Sequence, residues 1–265
     1  MPAPRPSARQ RRLGQNFLAD PNLLELIVRE AALEGADVVL EVGPGSGALT
    51  DRLAPAVACV HAIELDERLR GELVPLAERA GNVNLIWGDA MATELATLQP
   101  APTRMVSNMP YSVATPLLIR TICELAHVRD WLVLVQREIA ERLRAAPRSR
   151  TYGAPSVQVQ LACDLELVRT VDPAVFTPRP RVESALLRLT RRGPAPDPGL
   201  RRLVRNAFVH RRKSLARSLE LARPGTLEAA REALTAIGKQ PDARAEALAP
   251  AEFEALAREL GMVAR

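Results

Sequence analysis

Between residues 38 and 135 the chain returns repeatedly to short, mainly apolar runs, all but one of them followed by a stretch with helical spacing. No other feature constrains the fold as strongly. The runs are Val38–Val42, residues 57–63, Val83–Trp87, residues 105–107 and residues 131–135. They lack the strict alternation of a strand with one wet face, so they are expected to be buried on both sides. Residues 48–53, 67–79, 116–125 and 136–144 read as the intervening and following helices. Strands separated by helices form a parallel sheet with helices packed over it, the α/β class. Upstream, Asp20 and Pro21 offer a cap and a first turn to a helix that carries Leu23, Leu24, Ile27, Val28 and Ala31 on one face.

The pattern then changes. Residues 157–162, 165–171 and 185–189 lie close together with no ordinary helix between them, and antiparallel pairing at one edge of the sheet is expected. Gly193-Pro194-Ala195-Pro196-Asp197-Pro198 reads as a linker. Beyond it the sequence reads helical to its end, with a break at Pro224-Gly225. A chain of 265 residues accommodates this as a domain over 1–192 with a basic N-terminal arm, and a small all-helical domain over 199–265.

Charge placement says more than the net +5. Residues 1–12 carry Arg5, Arg9, Arg11 and Arg12 and no acid, a local +4, and residues 199–222 carry +6. The remainder is left at −5. A mildly acidic body with two strongly basic segments suits a polyanionic partner. Cys59, Cys123 and Cys163 have neither metal-ligand spacing nor a disulfide pattern, and they read as buried, reduced thiols of a cytoplasmic protein. His61, His127 and His210 are equally scattered, so no metal is expected. No apolar run follows the Pro- and Arg-rich start as in a secretory signal, and no segment approaches a bilayer span; no membrane partner is expected.

Four motifs sit where the strands end. Glu41-Val42-Gly43-Pro44-Gly45-Ser46-Gly47 joins a strand to a helix, and its glycines, Gly43 and Gly45 among them, let a ligand approach the backbone. Ala48 and Leu49 follow where a dinucleotide fingerprint has its third glycine. Glu64 ends the next strand about 20 residues on, the spacing at which an acid accepts both hydroxyls of a ribose. Asp89, in Gly88-Asp89-Ala90, follows the third strand, where a carboxylate can accept from an adenine amine. Together the three converge on a crevice for an adenosine-containing ligand.

The fourth, Asn108-Met109-Pro110-Tyr111, is the sharpest. An adenine amine is a poor nucleophile because its lone pair is delocalised into the ring. The Asn108 side-chain oxygen and the Met109 carbonyl, stiffened by Pro110, could accept its two N–H bonds and turn the lone pair toward a methyl donor. Tyr111 offers a face on which the base stacks. No strong base is needed, and positioning supplies most of the rate.

With these motifs in order, the chain resembles the KsgA/Dim1 family of small-subunit ribosomal RNA adenine dimethyltransferases. Further stretches carry the likeness: Leu13-Gly14-Gln15-Asn16-Phe17-Leu18; Val135-Gln136-Arg137-Glu138-Ile139-Ala140-Glu141-Arg142-Leu143; Tyr152-Gly153; residues 175–185, from Val175-Phe176-Thr177-Pro178 to Glu183-Ser184-Ala185; and Phe208-Val209-His210-Arg211-Arg212-Lys213-Ser214-Leu215. The resemblance implies a Rossmann-like class I methyltransferase domain with a helical C-terminal domain. It implies S-adenosylmethionine as methyl donor, held by Asn16, Leu18, Gly43, Gly45, Glu64, Asp89, Ala90 and Asn108. Asn108, Pro110, Tyr111 and Phe176, the last as a second aromatic at the base pocket, would handle the target. The implied reaction puts two methyl groups on N6 of each of two adjacent adenosines near the 3′ end of 16S rRNA, as part of small-subunit biogenesis, in a cytoplasmic monomer. RNA-binding residues would be Arg11, Arg12, Arg201, Arg202, Arg205, Arg211, Arg212 and Lys213. Met109, Ser112 and Ala154-Pro155 depart from the family's usual residues without removing a catalytic atom. Two rivals share the motifs: an Erm-type 23S rRNA methyltransferase, and a non-catalytic RNA-binding assembly factor on the same fold. The basic 208–215 stretch favours the small-subunit reading, and the intact Asn108 motif argues against lost catalysis.

Overall fold

The computed structural model describes residues 16–263. Arg11 and Arg12, with the rest of the basic arm, lie outside the described residues. The chain divides into two compact units: Met1–Ala140 with Leu165–Arg191, and Glu141–Asp164 with Arg192–Arg265. The segment Glu141–Asp164, which the sequence division counts with the first domain, thus groups with the helical tail.

The first unit opens with a two-residue strand, β1 (Phe17–Leu18), and helix α1 (Pro21–Ala31). Asp20 Oδ1 accepts from Leu23 N at 2.8 Å, and Pro21 occupies the first turn, so this helix starts as its sequence dictates. The alternation then follows: β2 (Val38–Val42), α2 (Thr50–Leu53), β3 (Cys59–Glu64), α3 (Arg70–Ala80), β4 (Val83–Trp87), β5 (Arg104–Asn108), α4 (Ala114–Glu124) and β6 (Asp130–Gln136). Helix α5 (Arg137–Leu143) continues from β6. Every residue of β2 is buried, as is nearly all of β3 and β6.

After α5 the structure corrects the sequence reading. Residues 157–162 are not a strand; helix α6 (Ala154–Gln160) stands there. Pro155 lies in its first turn, and Ser156 Oγ accepts from Gly153 N at 3.1 Å. Val157, Gln158 and Val159 are all buried, so a helix enclosed on several sides shows no one-faced period, and its alternating valines imitate a strand. Strands β7 (Cys163–Val171), β8 (Phe176–Thr177) and β9 (Ser184–Arg191) complete the set.

The main sheet has seven strands in the order β4-β3-β2-β5-β6-β9-β7. Strands β2 to β6 are parallel, and β9 runs antiparallel to β6 with Gln136 opposite Ser184. Strand order reverses between β2 and β5, a switch point that places right-handed crossovers on opposite faces. Strands β1 and β8 form a separate antiparallel pair, Leu18 opposite Phe176.

The second unit adds α7 (Pro198–Val209), α8 (Leu215–Ala222), α9 (Leu227–Ala236) and α10 (Pro250–Glu259). Its core gathers Tyr152, Phe208 and Phe253, with ring centroids about 6 Å apart in successive pairs, and Tyr152 Oη donates to Leu248 O at 2.8 Å. Of the three cysteines Cys163 is buried, whereas Cys59 and Cys123 are only half-buried. No helix among the described residues is long and apolar enough to cross a membrane.

Candidate active site

The carboxyl ends of β2, β3, β4 and β5 open on one cavity. Each end is locked to its neighbour by backbone. Gly43 N donates to Ile63 O at 2.9 Å, Gly88 N to Glu64 O at 2.9 Å, and Met109 N to Leu134 O at 3.0 Å. The glycine turn needs glycine at particular places. Gly45 has φ +61°, and a Cβ there would lie 2.7 Å from the Phe17 ring; Gly43 has φ +74° and faces Pro110. Gly47, also at positive φ, packs against Leu73 and Leu76 of α3, taking the helix-packing role expected of a third glycine.

Of the residues expected at the donor site, Asn16, Leu18, Gly43, Gly45, Glu64, Asp89, Ala90 and Asn108 all line this cavity, and so do Pro110 and Tyr111. Phe176 does not. It is 3% exposed in the core, paired with Leu18 through β1 and β8, and stands behind the wall rather than in it. Phe17 and Leu65 also line the cavity, although the sequence motifs give neither a role there. Phe17 belongs to the 13–18 motif and Leu65 to the Glu64 strand end, so proximity in sequence to a site residue was the available signal.

The electrostatics are one-sided. Glu41, Glu64 and Asp89 line the cavity, and no lysine or arginine among the described residues does. Glu64 is buried, yet Oε2 accepts from Gly45 N at 3.1 Å and Oε1 from Asp66 N at 2.8 Å. Burial pushes its carboxyl up, and these backbone donors hold it back. Glu41 is 1% exposed, and Thr50 Oγ1 donates to it at 2.7 Å. Burial, with the nearby Glu64 charge adding to it, drives its carboxyl up to about 8. Buried carboxyls without a basic partner favour a cationic ligand and disfavour a polyphosphate.

Asn108 ends β5 in the cavity wall. Its Nδ2 donates to Asn16 O at 3.0 Å, which fixes the amide orientation. Its Oδ1 is buried and accepts from no group among the described residues. An unsatisfied buried acceptor in a cavity wall is an unusual expense unless a ligand donates to it. Three residues on, the Tyr111 hydroxyl lies 2.6 Å from Ser184 Oγ.

The expected RNA-contact residues divide by environment. Arg202, Arg205, Arg212 and Lys213 are exposed, with no ion pair or side-chain hydrogen bond among the described residues. Arg211 is braced instead: it donates to the carbonyls of Arg150 at 3.2 Å and Tyr152 at 3.0 Å and lies 3.6 Å from Glu246. Arg201 is half-buried, with its Nε shut away from solvent. Among the described residues no cluster of His, Cys, Asp or Glu could hold a metal.

Comparison with known proteins decides the family. The family model described as ribosomal RNA adenine dimethylase matches residues 7–260. This chain belongs to that family. Ribosomal RNA small subunit methyltransferase A of Rubrobacter xylanophilus is 43% identical over 260 residues, spanning 97% of this chain and 96% of its own. A dimethyladenosine transferase from Plasmodium falciparum shares the fold, with a TM-score of 0.76 at 24% identity over 92% of this chain and 97% of that one. The 23S rRNA methyltransferase ErmE gives 0.66 at 26% identity, over 93% of this chain and 100% of its own. The α/β, Rossmann-like methyltransferase architecture read from the sequence is therefore correct.

Proposed function

We propose that the protein transfers methyl groups from S-adenosylmethionine to N6 of two adjacent adenosines near the 3′ end of 16S rRNA in the small ribosomal subunit. The observation that carries the reading is Asn108 Oδ1, a buried acceptor without a donor, beside an acid-lined crevice at the sheet's switch point. Family membership and relatives named for the small ribosomal subunit supply the substrate class.

S-adenosylmethionine supplies a methyl group on a positively charged sulfur, and the acidic lining suits that charge. Glu64 retains acceptor capacity toward a ribose diol while Gly45 and Asp66 hold its carboxylate in place. Asp89, with Oδ1 taken by Met91 N at 2.8 Å, keeps Oδ2 for an adenine amine. Asn108 Oδ1 accepts one N–H of the target amine, the Met109 carbonyl accepts the other, and Tyr111 stacks on the base. The exposed cations of the helical domain over 199–265 would hold RNA phosphates, in a protein working as a cytoplasmic monomer.

The test is transfer of labelled methyl groups to isolated small and large ribosomal subunits, with the modified nucleotides mapped. Label on paired adenosines near the 3′ end of 16S rRNA is expected. Label on 23S rRNA, or on no RNA, overturns the reading.

A further inference from the structure

No residue of the 175–185 motif lines the cavity, and Ser184 is where that motif touches the site. This serine opens β9, opposite Gln136 of β6, and is fully buried. The residues after it, Ala185, Leu186 and Leu187, are buried and apolar. Its oxygen lies 2.6 Å from Tyr111 Oη, across 73 residues of sequence. Neither hydroxyl has another partner among the described residues. A buried hydroxyl is unfavourable unless hydrogen-bonded, and a phenylalanine at 111 with an alanine at 184 would avoid that penalty altogether. Two hydroxyls that satisfy only each other therefore point to a geometric task.

The task follows from what Tyr111 does. Tyr111 forms part of the cavity wall directly after Pro110. Proline restrains the backbone there, but where the tip of the ring lies depends on the torsion about Cα–Cβ, and an anchor at the ring's far end fixes it. Ser184, paired with Gln136 at the start of β9, supplies that anchor from a rigid element.

We propose that Ser184 is a positioning residue for the methylated base: its hydroxyl pins the tip of Tyr111 and so fixes where the ring stands for the target adenine to stack on it. The inference rests on the proposed function in taking Tyr111 as the stacking face. The phenol's ionisation agrees with this arrangement. Burial pushes Tyr111 up, and the Ser184 hydroxyl pulls it partly back.

The test compares the full chain with Ser184→Ala, Tyr111→Phe and the double variant. Tyr111→Phe removes the same bond without touching the sheet, so the comparison survives if the serine variant folds poorly. For methyl transfer to isolated small subunits, each single variant should lose roughly three- to tenfold in kcat/KM, the value of one hydrogen bond. The loss should fall on the RNA substrate, with calorimetric affinity for S-adenosylmethionine unchanged. The double variant should be no worse than Tyr111→Phe, since both remove one interaction. The chain has two tyrosines, so the phenolate transition that Tyr111→Phe removes in ultraviolet titration reports Tyr111. Ser184→Ala should move that transition upward. Additive losses, a wild-type kcat/KM in Ser184→Ala, or an unmoved Tyr111 transition would each overturn the proposal. Failure of the wild-type protein to methylate adenine in any RNA is a separate result: it removes the proposed function, and this inference with it.

Discussion

Glu41 and Glu64 lie at or next to the ends of adjacent strands, both buried and both lining one cavity, yet they behave differently because their donors differ. Glu64 is held by two backbone N–H groups, whereas Glu41 has one hydroxyl, from Thr50. Glu41 therefore keeps its proton up to about 8, against 4.5 for an ordinary glutamate. In the unfolded chain the proton is lost at the lower value, so between the two the native state binds more protons. The contribution of Glu41 to stability then falls as pH rises from about 4.5 to about 8 and levels off above. Glu41→Gln, a neutral shape mimic, should remove that decline, and its advantage over wild type in denaturant melts should grow across the same interval. Equal pH slopes in the two proteins would contradict a protonated Glu41. At Glu64 the expectation is affinity: Glu64→Ala should weaken S-adenosylmethionine binding by about 1.5–3 kcal/mol, the value of hydrogen bonds to a charged acceptor. Wild-type affinity by calorimetry would remove Glu64 from the donor site. Asn108→Ala should abolish turnover while leaving RNA binding intact; a variant with near-normal methylation would end the amine-orienting role of Oδ1.

At the scale of elements, helix α4 does more than cover the sheet. Arg120 Nη1 donates to Ala90 O and Nη2 to Thr93 O, each at 2.7 Å, so the helix braces the loop that follows Asp89. Ala90 lines the cavity. Arg120→Ala should loosen that loop and weaken donor affinity by roughly 1 kcal/mol, about fivefold. A lowered melting temperature with unchanged affinity would make Arg120 a brace for the fold alone. Such bracing was not legible in the sequence, and the reason is general. Strands β2 to β6 announced themselves because buried parallel strands are local apolar runs bounded by turn residues. The glycine turn, Glu64, Asp89 and Asn108 were legible because each directly follows such a run. Pairings fixed by distant residues leave no local trace. That of Leu18 with Phe176 is one case, and it withdraws Phe176 from the pocket wall. Ser184 at Tyr111 is another. Helix α6 was misread for a different reason: burial of Val157, Gln158 and Val159 together erases the one-sided period that identifies a helix.

Over the whole molecule, charge is sorted by task. The only charged side chains that line the cavity among the described residues are acids, while the net charge is +5 and residues 199–222 alone carry +6. On α7, Leu200, Leu203, Val204, Ala207 and Phe208 are buried, and Arg202 and Arg205 face solvent. Arg212 and Lys213 extend this exposed charge into the turn before α8. Arg211, in the same run, is already spent on the carbonyls of Arg150 and Tyr152. Adjacent arginines should therefore separate experimentally. Replacing Arg202, Arg205, Arg212 and Lys213 with alanine should weaken binding to the small ribosomal subunit. It should also flatten the dependence of log affinity on log salt by about 0.7–0.9 for each phosphate no longer neutralised. Donor affinity should be unchanged, because none of the four lines the cavity. Arg211→Ala should instead destabilise the fold by on the order of 1 kcal/mol or more, by leaving two carbonyls short of a donor, and should shift the salt slope little. Subunit binding measured at several salt concentrations, beside a denaturant melt of each variant, distinguishes the two roles. An unchanged slope in the fourfold variant would leave the exposed cations as a solvated surface, and a large slope change in Arg211→Ala would return that residue to the RNA.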